Sequence, residues 1–289
     1  MQPVVTVGLD GSPESLAAAR WAADEAETRG LPLRLLHAWP TLAPEPARLP
    51  GEAEQNRAAR RLLAAAEAEL RAAHPDLSVV GSLVADDAEH ALLEAAAESE
   101  VTVIGSRGLE PAESYFLGDV GLPVVARARR PVVLVRAGTT EQEAPTAPAG
   151  RVVVALKLHG SSDDLLDFAF RVAAARSAPL LAVHGHGAPP HARPPQEADH
   201  GTDEHRTRDP RDRLDDALAP WRAKYPQADV AGSVRSDAPE RAVVQAGEGA
   251  VLLVVGRRRH RAGPAPRLGP VAQAALHHGR CPVAVVPHD

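Results

Sequence analysis

The chain is short of three things. Aromatic side chains make up 3% of its 289 residues, so its cores must be packed from aliphatic side chains. It has one cysteine, Cys281. That excludes an intramolecular disulfide framework and suits a reducing compartment. Lysine occurs only as Lys157 and Lys224, and arginine carries the rest of the positive charge. Acidic residues are in excess, with a formal charge of −6, so the basic footprint of a nucleic-acid-binding protein is missing. No stretch approaches ~18 uninterrupted apolar residues, and no transmembrane helix is expected. The opening MQPVVTVGLD lacks the basic start and long apolar run of a secretory signal. The expectation is a soluble, cytoplasmic protein with neither nucleic acid nor membrane as partner.

What is present is a duplication. Gly81 to Val135 matches Gly232 to Val286 at a constant offset of 151, pairing Asp86 with Asp237, Gly105 with Gly256, Gly118 with Gly269 and Pro131 with Pro282. Earlier in each half the offset is 147, which sets Val5 on Val152 and His37 on His184. Two Pro-rich connections, near 40–52 and 186–210, absorb the difference. Two domains of ordinary size follow, 1–137 and 151–289, with the polar, Pro-containing segment 138–150 as a linker. Where the halves differ, one of them has changed its job.

Strand and helix signals alternate in each half. Val4–Leu9 is a short β-branched run of the kind buried in a parallel sheet. Ser12, Pro13 and Glu14 then supply a cap, a first helical position and a charge suited to the dipole. That helix runs to about Arg29, and Gly30 ends it. Strands follow at 33–38, 77–84, 101–105 and 132–136, with helices at about 52–73, 88–99 and 120–129. The second half repeats the order. The fold class is α/β: two tandem, open, mostly parallel five-stranded sheets with helices on both faces.

The first site candidate is Gly105-Ser106-Arg107-Gly108, followed after nine residues by Gly118. It sits directly after a strand, and Gly118 precedes a helix. Glycines there let backbone N–H groups approach a phosphate, and the helix offers its positive end. In an open α/β sheet, ligands bind beyond the carboxyl ends of the strands. The alternative is that these glycines only shape turns.

The pattern Gly-x-x-Gly-x9-Gly, together with VGLDGSPES at 7–15, LLHAW at 35–39, VIGSRG at 103–108 and ALHHGRCPVAVV at 275–286, resembles the universal stress protein family in both halves. The resemblance implies a Rossmann-like fold and an adenine nucleotide, ATP among the candidates, with Mg²⁺ accompanying it. It implies that Asp10 and Ala38 face the nucleoside. Gly105, Ser106, Arg107, Gly108 and Gly118 would face ribose and phosphates. It also implies that Val132–Val135 and Val283–Val286 pair the two halves about a pseudo-twofold axis. One position departs: Asp119 stands where the family places a phosphate-binding Ser or Thr. An ionised carboxylate only accepts hydrogen bonds, so it repels a triphosphate unless Mg²⁺ bridges the two. Asp119 equally suits a helix N-cap.

The second half departs further. Lys157 stands at the Asp10 position, Arg259 at Gly108 and Pro270 at the expected hydroxyl position. Arg257, Arg258, Arg259 and Arg261 make its loop basic. That loop is either a different anion site or, the favoured reading, solvated surface in a half that has lost its ligand. The histidines His184, His186, His191, His200 and His205 match no zinc spacing, and no metal site is expected. His37 and His184 are expected to orient strand ends by hydrogen bonding. No nucleophile elbow, Walker lysine or zinc-protease helix occurs. The expected function is a nucleotide-responsive stress protein without clear catalysis, a slow ATPase remaining open. The alternative is a scaffold that binds no nucleotide and acts on an unknown protein partner. A further homodimer is compatible with either.

Overall fold

The computed structural model describes residues 3–39, 51–106, 120–137, 150–187, 208–259 and 268–289, with side chains for all of these but 51–55. The first repeat supplies β1 (Val5–Gly8), α1 (Pro13–Arg29), β2 (Leu33–Trp39), α2 (Gly51–Ala73), β3 (Val79–Ala85), α3 (Ala88–Glu98), β4 (Val101–Ser106), α4 (Gly121–Arg127) and β5 (Val132–Arg136). The second supplies β6 (Val152–Ala155), α5 (Asp163–Ala175), β7 (Leu180–Gly185), α6 (Pro210–Lys224), β8 (Val230–Arg235), α7 (Pro239–Ala246), β9 (Leu252–Arg258), α8 (Pro270–His278) and β10 (Val283–His288).

The chain divides into two compact units. One holds the described residues up to 137 together with Pro282–Pro287. The other holds residues 150–259, Leu268–Cys281 and His288–Asp289. The strand order in the first unit is β3-β2-β1-β4-β5-β10. All its pairs are parallel but the last, where Val283 faces Leu134, Ala284 faces Val133 and Val285 faces Val132 in antiparallel register. The strand order in the second unit is β9-β6-β7-β8, all parallel. This is the α/β class expected from the alternation.

Right-handed crossovers decide where the helices go. From β1 the chain steps outward to β2 and β3, which puts α1 and α2 on one face. It then steps back across to β4 and β5, which puts α3 and α4 on the other. The contacts agree: α1 touches α2, and α3 touches α4. The strands between them are buried on both faces, and Val5, Val7, Leu33, Leu35, Val101 and Val103 are fully buried. Each such side chain contributes about 1.5–3 kcal/mol relative to exposure. Six alanines of α1, from Ala17 to Ala26, are also buried. Their small side chains let this helix lie close against the sheet.

Local chemistry sets the helix ends. The Ser12 hydroxyl accepts a hydrogen bond from the Ser15 N–H at 3.2 Å and caps α1. Gly30, at φ 64°, turns the chain into the left-handed region, and its N–H bonds back to Ala26 and Glu27. The third strand begins two residues later than the apolar run suggests. Leu77 N–H is spent on the His74 carbonyl in the turn that leaves α2. No described helix is long and apolar enough to cross a membrane.

Candidate functional site

In the order β3-β2-β1-β4-β5, the direction of winding reverses between β1 and β4. The helices that follow these strands leave to opposite faces, so the strand ends are not roofed there. A cavity of about 390 Å³ opens at this point. Its walls include Asp10 after β1, Ala38 of β2, Gly105 of β4, Leu92 of α3 and Gly121 of α4.

Asp10 is the charged group on the wall. The Ser12 N–H and hydroxyl both donate to Oδ1, at 2.9 and 2.5 Å. Burial pushes the carboxyl up, but these bonds and that of Ser15 outweigh it and hold it below the usual carboxylate range. It is therefore an ionised acceptor at neutral pH. Ser12 both caps α1 and orients Asp10, so the helix start and the site are one construction.

Gly105 serves packing as well as access. A Cβ there would lie 2.5 Å from the Glu14 carbonyl carbon and 2.6 Å from the Ser15 nitrogen. The first turn of α1 rests directly on β4 at this residue. Next along the strand, Ser106 is 4% exposed and its hydroxyl has no hydrogen-bond partner among the described residues. A buried hydroxyl in that condition is uncommon. His37 Nδ1 meets the Leu9 carbonyl at 2.7 Å, and His184 Nδ1 meets the Leu156 carbonyl at 2.9 Å. A carbonyl only accepts, so both rings carry the proton on Nδ1. The equivalent histidines thus tie the second strand of each repeat to the end of the first, as the sequence implied.

Of the eight residues singled out from sequence, the cavity brings together Asp10, Ala38 and Gly105, with Ser106 adjoining. Arg107, Gly108, Gly118 and Asp119 lie outside the described residues. Sequence reasoning missed Leu92 and Ile104, the apolar part of the wall. Their only signal was an apolar residue at a strand end or on the inner side of a short helix.

The second repeat changes most of the walls, keeping Leu156, Ser162, Gly256 and Val271 at the positions of Leu9, Ser15, Gly105 and Val120. Gly185 replaces Ala38, and Pro239 replaces Ala88. A Cβ on Gly185 would fall 2.7 Å from the Pro239 Cα. The helix α7 therefore closes onto β7 where the first repeat leaves a gap. Arg257 replaces Ser106 and is 6% exposed. Burial, and then the charge of Arg259, hold its guanidinium below its ordinary pKa. Arg259 pairs with Asp164 at 3.1 Å and Asp289 at 3.5 Å. Of the arginine run, Arg258 and Arg259 are exposed, Arg259 in ion pairs, while Arg257 is interior against the expectation of solvated surface; Arg261 lies outside the described residues. Helix α5 begins at Asp163, three residues later than Gly160, the counterpart of Pro13. Losing that proline removes the residue that fixes the first helical turn.

Of the loop histidines, His184 and His186 are described; His191, His200 and His205 lie outside the described residues. Among the described residues one group could offer three metal ligands: Asp86, His90 and Glu94. His90 Nδ1 lies 2.5 Å from Asp86, and Nε2 lies 3.8 Å from Glu94, on the far side of the ring. The two carboxylates therefore face different nitrogens, the arrangement of an exposed charge network. The Asp86 hydrogen bond raises the pKa of His90, and that same bond lowers the pKa of Asp86. Cys281 is buried at the entry to β10, as a small core residue.

Known proteins match over the whole length. Universal stress protein Rv2005c of Mycobacterium tuberculosis is 31% identical, covering 97% of this chain and 96% of its own. The crystal structure of a universal stress protein from Archaeoglobus fulgidus aligns over 99% of this chain and 98% of its own, with a TM-score of 0.72 at 17% identity. A second universal stress protein from Archaeoglobus fulgidus, solved in complex with dAMP, is 23% identical and covers 47% of this chain and 98% of its own, with a TM-score of 0.36. The sequence model of the Universal stress protein family matches residues 1–136 and 149–287. The chain belongs to the universal stress protein family, with that family's domain present twice.

Proposed function

We propose that the first repeat binds one adenine nucleotide in the cavity beside Asp10, and that the protein acts as a nucleotide-responsive stress regulator without catalysis. The observation that carries this is the open cleft at the reversal point of the sheet, about 390 Å³ in volume. That lies within the usual range for small-molecule sites. Asp10, ionised and oriented by Ser12, accepts a hydrogen bond from the nucleoside. Ala38 leaves room for the base, and Leu92 and Ile104 supply an apolar wall for it. Ser106, whose buried hydroxyl lacks a partner among the described residues, gains one from ribose or phosphate. Arg107, Gly108 and Gly118 complete the phosphate side. Asp119 disfavours a triphosphate unless Mg²⁺ bridges it, and so favours a nucleotide with fewer phosphates. Binding changes a surface read by a protein partner.

The second domain, 151–289, is the degenerate copy, joined to 1–137 by the linker 138–150. Its counterpart cleft is closed by Pro239 against Gly185, and Lys157 removes the acceptor.

Native mass spectrometry with ATP and AMP, each with Mg²⁺, tests this. One adenine nucleotide per chain is expected. Asp10→Ala should weaken it by roughly ten- to a hundredfold, the cost of one charge-assisted hydrogen bond. Gly108→Arg should abolish it with the fold intact. No binding at millimolar nucleotide would leave the scaffold reading, and two nucleotides per chain would contradict the closed second cleft.

A further inference from the structure

The second unit has a cleft of its own, which coincides with the counterpart of the first only at Lys157 and Ser162, the equivalents of Asp10 and Ser15. About 420 Å³ lie between the β6–α5 connection and α6. Three cationic side chains line it: Lys157 after β6, and Arg213 and Lys224 on α6. Two of them, Lys157 and Lys224, are the chain's only lysines. Arg213 Nη2 donates to the Leu158 carbonyl and fixes α6 to the connection. Gly160, Ser161 and Ser162 form the opposite lip, leading into the 13-residue helix α5. Ser162, at the N-cap position, makes no side-chain cap bond, unlike Ser12 on α1. The Asp163 amide donates to the Ser161 hydroxyl at 3.4 Å, and the next two amides, of Asp164 and Leu165, keep their donors. Two carboxylates also line the cleft, but both are engaged. Asp163 Oδ2 accepts from the Ser161 hydroxyl at 3.1 Å, and Asp216 is held by Arg208 at 2.8 Å.

We propose that this cleft is an oxyanion site for inorganic phosphate or pyrophosphate, gained by the second repeat and independent of any nucleoside. Lys157 supplies the charge at the position where the first repeat has Asp10. Arg213 offers the planar donor fork that suits phosphate oxygens. The Ser162 hydroxyl and the amides of Asp164 and Leu165 donate from the other side. The surrounding electrostatics agree. Partial burial, and then the charges of Lys157, Arg258 and Arg213, hold His159 below its ordinary pKa. Three cationic fields thus overlap at one corner. The site stands apart from the nucleotide reading, since it shares no residue with the Asp10 cavity.

The test uses the full chain and inorganic pyrophosphate, followed by amide chemical shifts and by calorimetry. Shifts are expected at residues 160–164, saturating with one pyrophosphate per chain and weakening with added salt. Lys157→Asp, which restores the charge of the first repeat, should weaken binding by roughly tenfold or more. Lys157 is exposed, and circular dichroism of the variant should match the parent. Arg213→Lys should retain more affinity than Arg213→Gln. Asp10→Ala should leave pyrophosphate binding unchanged while it impairs AMP binding, so the two proposals fail separately. Absence of shifts at 160–164 at millimolar pyrophosphate would overturn the assignment. So would undiminished binding by Lys157→Asp, or a loss of pyrophosphate with Asp10→Ala.

Discussion

Gly30 and Ser177 occupy equivalent positions at the end of the first helix of each repeat, and both are left-handed, at φ 64° and 49°. The backbone geometry survived the duplication and the glycine did not. A side chain in that region costs roughly 1–2 kcal/mol, so Ser177→Gly should stabilise the second unit by about 1 kcal/mol. The expected reading is a melting point higher by a few degrees. An unchanged or lower midpoint would mean that Ser177 is not strained. His184 makes a second prediction. Burial first, then His186, Arg213 and His159, hold its pKa below 6.5, against the Leu156 carbonyl that raises it. A histidine depressed in the folded state takes its proton first in the unfolded chain. Its contribution is therefore intact above pH 6.5 and is lost as pH falls below that value. Urea midpoints should fall between pH 7.5 and 5, and His184→Gln should flatten the slope. At this scale the sequence was legible where chemistry is local: Ser12, Pro13 and Gly30 act as caps, and His37 and His184 as strand ties. It was not legible at Gly105, where the need for glycine comes from a helix ninety residues earlier in the chain.

That contact belongs to the scale of elements. The first turn of α1 presses on β4 at Gly105, and the same turn carries Ser12, which orients Asp10. Packing and site are therefore coupled through one turn. Gly105→Ala places a methyl against backbone that has little room to yield, at a cost on the order of 1–3 kcal/mol. Stability and nucleotide affinity should fall together, as read by denaturant unfolding and by AMP titration. Lost affinity with stability intact would mean that Gly105 serves the ligand alone. Element order was readable because alternation, short β-branched runs and helix caps are each local signals. The late start of α5 was not, because it rests on the absence of one proline, and the closure of α7 onto β7 depends on a pair of substitutions, Gly185 and Pro239, far apart in sequence. The loss of a ligand site is written in distances between elements, which single runs of residues do not carry.

For the molecule as a whole, the membership of β10 in the first unit matters most. Ala284 is fully buried, between Val133 and its neighbours. A carboxylate there would be unpaired in an apolar sheet, so Ala284→Asp should cost more than about 3 kcal/mol. Hydrogen exchange should show the loss in β5, within the first repeat. Protection lost only in the second repeat would refute this. The same pairing has a consequence for biosynthesis. The partner of β5 is encoded about 150 residues downstream of it. At ordinary ribosomal speed, an apolar strand edge stays bare on the nascent chain for on the order of ten seconds. During that interval the first repeat is a template for pairing with any extended chain nearby. Its yield in the cell should therefore depend on translation rate and on chaperones that shield strand edges, more than its finished stability would suggest.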